Sequence, residues 1–117
     1  MIPAYQQIDD EQCRHFLSAV DLVGQRWSGA ILLALARGAT RFSDVRANVA
    51  GISDRMLAVR LKTLAADGLV ERTIIPTTPV QVRYGLTESG AELLESLQPL
   101  TQWAHRWNPE PVVEAAG

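Results

Sequence analysis

Residues 53–72, SDRMLAVRLKTLAADGLVER, restrict the fold more than any other stretch of the chain. Up to Gly68 the apolar residues recur every three or four positions, the period of a helix with one buried face. Beyond Gly68 the period drops towards two, that of a strand. With Leu57 at zero and about 100° per residue, Leu61, Leu64 and Ala65 fall within about 80° of it. Arg55, Val59, Lys62 and Ala66 gather on the far side, with Met56, Ala58 and Thr63 on the flanks. A face made for water alone more often carries several Glu or Lys residues in opposite-sign pairs. This far face has no acid at its centre and small or apolar residues between two cations. The major groove of B-DNA admits such a helix: Arg55 can reach a guanine edge or a phosphate, Val59 a thymine methyl, Lys62 a phosphate. Ser53 and the first amides of the helix can bind a phosphate too. The competing reading is an exposed amphipathic helix that contacts nothing. Arg60 lies near −60°, towards the core, which predicts an internal ion pair with Asp44 or Asp67.

Punctuation along the chain gives the other elements. Gly24, Gly38, Gly51 and Gly68 each follow an apolar-periodic segment, where a helix ends on a residue of positive φ. Ser43 and Ser53 are N-cap candidates, each followed by an Asp that suits the positive helix end. Helices are expected over about 12–23, 27–36, 43–49, 54–67 and, capped by Thr87, on to Trp107. WSGAILLALA (27–36) is apolar nearly all round and reads as the buried central helix. ATRF (39–42) reads as a short extended piece. LVERTII, PTTP and VQVRYGL form a β-hairpin, with Pro76 and Pro79 in its loop. Pro99 predicts a bend in the last helix. The fold class is mainly α with a small β-hairpin (α+β): two short helices, a tight turn and a hairpin make a winged helix-turn-helix. The 117 residues suit a single domain, 1–117. Within it, 1–11 is an N-terminal arm, 12–24 and 87–107 are dimerisation helices, and 108–117 is a flexible tail.

Composition narrows the function. Apolar content is 47% and charged content 21%, as in ordinary globular domains. No apolar run approaches the roughly 20 residues of a membrane span, and the acidic N-terminus is no signal peptide, so the expected location is cytoplasmic, on the nucleoid if the partner is DNA. Cys13 is alone, so there is no intrachain disulfide and no CxxC pair for zinc. His15 and His105 are far apart, and no metal or cofactor is expected. No Gly-rich phosphate loop, paired carboxylates or Ser/His/Asp order is visible. Cys13 and His15, two apart on a helix, do not face one another. No catalytic residue is named. Between Arg26 and Arg83 nine basic residues meet four acids, whereas the flanks are acidic; a basic middle suggests an anionic partner.

Gly24, Arg26 and Trp27, then RFSDV, GIS, RL, LAADGLVER and YGLTESG, resemble in combination the HxlR family of bacterial transcription regulators, relatives of the MarR-type winged-helix proteins. The likeness covers about residues 13–104. It implies a homodimer that binds double-stranded operator DNA of near-palindromic sequence. Carried over by position, the DNA residues are Ser53, Asp54, Arg55, Ala58, Val59 and Lys62, with the wing around Thr77, Thr78, Gln81 and Arg83; Ser43, at the start of the third helix, is grouped with them. Family wings often have a basic residue where this chain has Gln81, and Arg83, on the same side of the strand, is the candidate replacement.

The resemblance also implies pairing through the first and last helices. Their stripes supply Phe16, Leu17 and Val20, then Leu93, Leu97, Leu100, Trp103, Ala104 and Trp107. Several relatives have a cysteine near position 13 and some sense oxidants or electrophiles with it. Cys13, beside Arg14 and behind Asp9, Asp10 and Glu11, is thus a redox-sensing candidate for a small oxidant or electrophile effector; the alternative is an inert, half-buried cysteine. The competing functions are a winged-helix protein-interaction module and a small-ligand-responsive regulator without thiol sensing.

Overall fold

The computed structural model describes residues 9–107; most of the N-terminal arm and the whole C-terminal tail lie outside them. Five helices and one hairpin follow in the order α1 (Asp10–Val23), α2 (Ser28–Ala36), α3 (Phe42–Asn48), α4 (Asp54–Ala66), β1 (Val70–Ile75), β2 (Gln81–Leu86) and α5 (Glu88–Trp107). The fold class agrees with the sequence expectation, and α5 continues through Pro99.

The core is built from one face of each inner helix. Ile31, Leu32, Ala34 and Leu35 of α2 meet Val45 of α3, Leu57, Leu61 and Leu64 of α4, and Leu69 and Val70 at the foot of the hairpin. Each Leu, Ile or Val among them contributes about 1.5–3 kcal/mol by leaving water. α2 is not buried all round: Gly29, Ala30, Leu33 and Ala36 are exposed on one side, where an apolar groove of about 490 Å³ opens against α5.

Glycine ends two of the helices as expected. Gly38 and Gly68 take positive φ, and the next amides, Ala39 N–H and Leu69 N–H, bond back to Ala34 O and Leu64 O. This is the 6→1 closure that left-handed glycine permits. Gly51, in the α3–α4 turn, also has positive φ. Gly24 departs from the expectation, with φ −80° and its N–H on Val20 O. The left-handed residue of that turn is Trp27, at φ 78°, a conformation that costs a non-glycine of order 1–3 kcal/mol. Its half-buried ring packs on the core, and the Arg26 guanidinium stands 4.7 Å from the ring centroid, which offsets part of that cost.

Other local expectations are corrected. Ser43 is not an N-cap: Arg41 precedes the first residue of α3, Phe42, and Asp44 accepts from the Arg41 N–H at 3.3 Å. ATRF forms no strand; Thr40 O instead accepts from Tyr84 N–H at 2.7 Å, holding this segment to the outer edge of β2. Arg60 pairs with neither Asp44 nor Asp67; its Nε–H donates to Arg26 O at 3.0 Å.

The foot of the hairpin is closed tightly. Val70 stands opposite Leu86. The Thr87 hydroxyl donates to Gly68 O at 2.6 Å and accepts from Gly90 N–H at 3.0 Å. Gly90 is buried against Leu69, and a Cβ there would lie 2.1 Å from Leu69 O. Only glycine lets α5 start this close to the strand.

Candidate nucleic-acid interface

α4 presents the two faces its period requires. Leu57, Leu61 and Leu64 are 0%, 2% and 1% exposed. On the opposite side Arg55, Val59, Lys62 and Ala66 are exposed, as is Ala58 on the flank. Val59, at 47%, is among the large apolar side chains left open to solvent. The cationic edge is therefore held outward by the burial of the leucines behind it.

The start of α4 is defined by two contacts. The Ser53 Oγ accepts from Met56 N–H at 3.1 Å, which caps the helix and leaves the hydroxyl hydrogen free to donate. Asp54 is ion-paired with Arg46 near the end of α3. An exposed pair of this kind contributes under about 1 kcal/mol, but it offsets the acid nearest the cationic edge and ties the two helices of the helix-turn-helix. Ser43 is exposed on α3.

The hairpin distributes its polar groups unevenly. Thr77 donates its hydroxyl to Pro79 O at 2.8 Å, so that hydroxyl is engaged inside the loop; Thr78 is exposed. Arg83 is not a free wing cation. It is half-buried, its Nη2 donates to Gln81 Oε1 at 3.0 Å, and its Nε is buried without a hydrogen-bond partner. The cation that β1 and β2 do offer to solvent on the α4 side is Arg72, opposite Tyr84 in the register. It lines a cleft with Ala58, Leu61, Lys62, Ala65 and Tyr84. Sequence reasoning counted Arg72 among the basic residues of the middle but assigned it no place; the signal was its two-residue offset from Val70, which sets it on the strand face turned to α4.

The remaining candidates lie elsewhere. Cys13, in the first turn of α1, is exposed rather than half-buried. α1 has no buried residue. Phe16, Leu17 and Val20 on α1, with Leu100, Trp103 and Trp107 on α5, are 46–69% exposed. Leu93 packs against the chain's own core, and Leu97 and Ala104 are half-buried. No helix of the described residues is long and apolar enough to cross a membrane.

The fold is shared with known proteins. The sequence is 40% identical over 97 residues to YvaP of Bacillus subtilis, described as an uncharacterized HTH-type transcriptional regulator, covering 83% of this chain and 90% of that one. It is 41% identical over 95 residues to the HTH-type transcriptional regulator YodB of the same organism, covering 81% and 85%. The reduced form of YodB superposes with a TM-score of 0.75 at 37% identity, covering 92% of this chain and all of that one; a diamide-treated YodB gives 0.71 at 38%, covering 86% and 96%. HypR, described as a redox regulator and solved in its oxidized form, gives 0.71 at 30%, covering 84% and 98%. Residues 22–111 match the HxlR-like helix-turn-helix family, and it is to that family that this chain, with its outward α4 edge and its hairpin wing, belongs.

Proposed function

We propose that this helix-turn-helix transcriptional regulator works as a homodimer on a near-palindromic operator in double-stranded DNA. In this reading α4 enters the major groove and the hairpin lies along the neighbouring backbone. The observation that carries it is the exposed Arg55–Val59–Lys62 edge backed by the buried leucines of α4. Arg55 reads a base edge, Val59 gives apolar contact, and Lys62 and Ser53 engage phosphates. Asp54, held by Arg46, positions the helix start and does not touch a base.

The exposed apolar side chains of α1 and α5 support pairing. Two copies would cover these stripes and set their α4 helices one helical turn of DNA apart, or a multiple of it. The exposed Cys13 on α1 then lies beside the subunit contact, where oxidation or alkylation of the thiol alters the pairing and hence DNA affinity. The forms in which YodB was solved, reduced and diamide-treated, and the description of HypR as a redox regulator support a thiol-reactive effector. A regulator of this kind acts on the nucleoid.

Selection of bound fragments from the source organism's genomic DNA, with and without oxidant, tests the reading. Enrichment of a site with twofold symmetry, lost on oxidation, is expected. No enrichment in either condition overturns DNA binding. Enrichment unchanged by oxidant retains the regulator and removes the sensor.

A further inference from the structure

The cleft between α4 and the hairpin measures about 340 Å³ and is lined by Ala58, Leu61, Lys62, Ala65, Arg72 and Tyr84. Its two walls each supply a cation, Lys62 from the helix and Arg72 from the strand. Both are exposed, and among the described residues the side chain of neither has a hydrogen bond or an ion pair. No acid lines the cleft. Glu71, the nearest acid in sequence, projects from the other face of β1, as alternation requires. Tyr84, directly opposite Arg72 in the register, adds a phenolic hydroxyl with no partner among the described residues.

Two like charges held on facing walls with no counter-charge repel one another. A single anion placed between them removes that repulsion and gains a charge-assisted hydrogen bond from each side. The apolar floor of Leu61 and Ala65 keeps the group at the mouth. Ala58 and Lys62 belong both to this cleft and to the outward edge of α4, so an anion here is continuous with a duplex lying along that edge.

We infer that the cleft is a phosphate clamp: one backbone phosphate of the bound duplex sits between Lys62 and Arg72, with Tyr84 as a third donor, and joins the helix and the wing through the DNA. The inference rests on the DNA-binding reading above and assigns Arg72 a role in it. The clamp carries no sequence information and adds affinity to every duplex alike. It also gives the wing the cationic contact that Gln81 and the engaged Arg83 do not provide.

The test uses the full chain, the duplex enriched by selection, and a random-sequence duplex of equal length. Arg72→Gln is expected to lower the slope of log affinity against log salt by about one on both duplexes, with the operator-to-random ratio held within about twofold. Replacing single phosphates by neutral methylphosphonates should reveal one position that weakens the wild type by several-fold and leaves Arg72→Gln unaffected. Lys62→Gln must fall silent at that same position, and Arg72→Lys must keep the wild-type slope. A wild-type slope in Arg72→Gln, or variants that fall silent at different phosphates, overturns the clamp while leaving DNA binding in place. A wild type that binds neither duplex overturns both. If Arg72→Gln does not fold, the Lys62→Gln and Arg72→Lys arms decide the question against the same scan.

Discussion

Arg60 of α4 donates its Nε–H to the carbonyl oxygen of Arg26, 34 residues earlier, at 3.0 Å. The bond ties α4 to the turn that leads out of α1, where the Arg26 guanidinium also stands over Trp27. The turn between α1 and α2 and the helix proposed to read DNA thus share one contact point. Arg60→Ala removes a hydrogen bond from a charged donor at a partly exposed site. A loss of about 1 kcal/mol is expected in urea unfolding, with a larger proportional loss of operator affinity than of random-duplex affinity. Equal losses on both duplexes would mean that the bond serves stability alone.

Arg55 and Lys62 should separate by what they read. Arg55→Ala is expected to weaken operator binding by about 1–3 kcal/mol and to relax preference at one base position. Lys62→Ala should weaken all duplexes alike and reduce the salt slope by about one. Electrophoretic titrations at several salt concentrations distinguish the two; wild-type behaviour in both variants removes this face from DNA contact.

Oxidant response should reside in one atom. Cys13→Ser is expected to bind operator as the reduced wild type does and to ignore diamide. A variant that still loses DNA on diamide treatment excludes Cys13, since the chain has no second cysteine.

Leu100 is exposed on α5, so Leu100→Asp leaves the chain's own core intact while placing a charge on the apolar stripe. Sedimentation should show a shift to monomer with retained helical circular dichroism. A dimer that persists would locate the contact elsewhere. Leu97 is a less clean choice, since it is half-buried and lines the groove between α2 and α5.

Gly90→Ala sets a methyl group where Leu69 O already sits. Backbone cannot yield as a flexible side chain does, so a loss of about 1–3 kcal/mol is expected. Thermal unfolding reads it directly; an unchanged midpoint would show that α5 can shift away from β1 without loss.

Much of this architecture was legible because it is local. Caps at Ser53 and Thr87, left-handed glycines at 38, 51 and 68, and the change of period after Gly68 need only neighbouring residues. The α4 faces followed from spacing alone. What escaped depends on groups far apart in the chain. Thr40 O meets Tyr84 N–H, and no pattern within ATRF encodes that. Trp27, not Gly24, takes the left-handed turn, because packing of its ring offsets a backbone cost that composition cannot weigh. Arg60 reaches a carbonyl instead of a carboxylate, and a helical wheel shows direction but not what stands there. Arg83 and Gln81 share one side of the strand, as alternation requires, but their mutual bond engages the guanidinium within the wing, which the spacing alone does not reveal.

The stitched foot of the hairpin has a consequence for how such a chain can diversify. Thr87 gathers Gly68 O, Leu69 O and Gly90 N–H at one point, so the strand that leaves the core and the strand that returns are fastened before the loop begins. Doubling the length of a flexible loop beyond such a knot costs only about 0.6 kcal/mol. The reach and charge of the tip are thereby decoupled from folding, and a lineage can edit the few residues between Pro76 and Val80, and with them whatever the tip touches, while the rest of the molecule stays as it is.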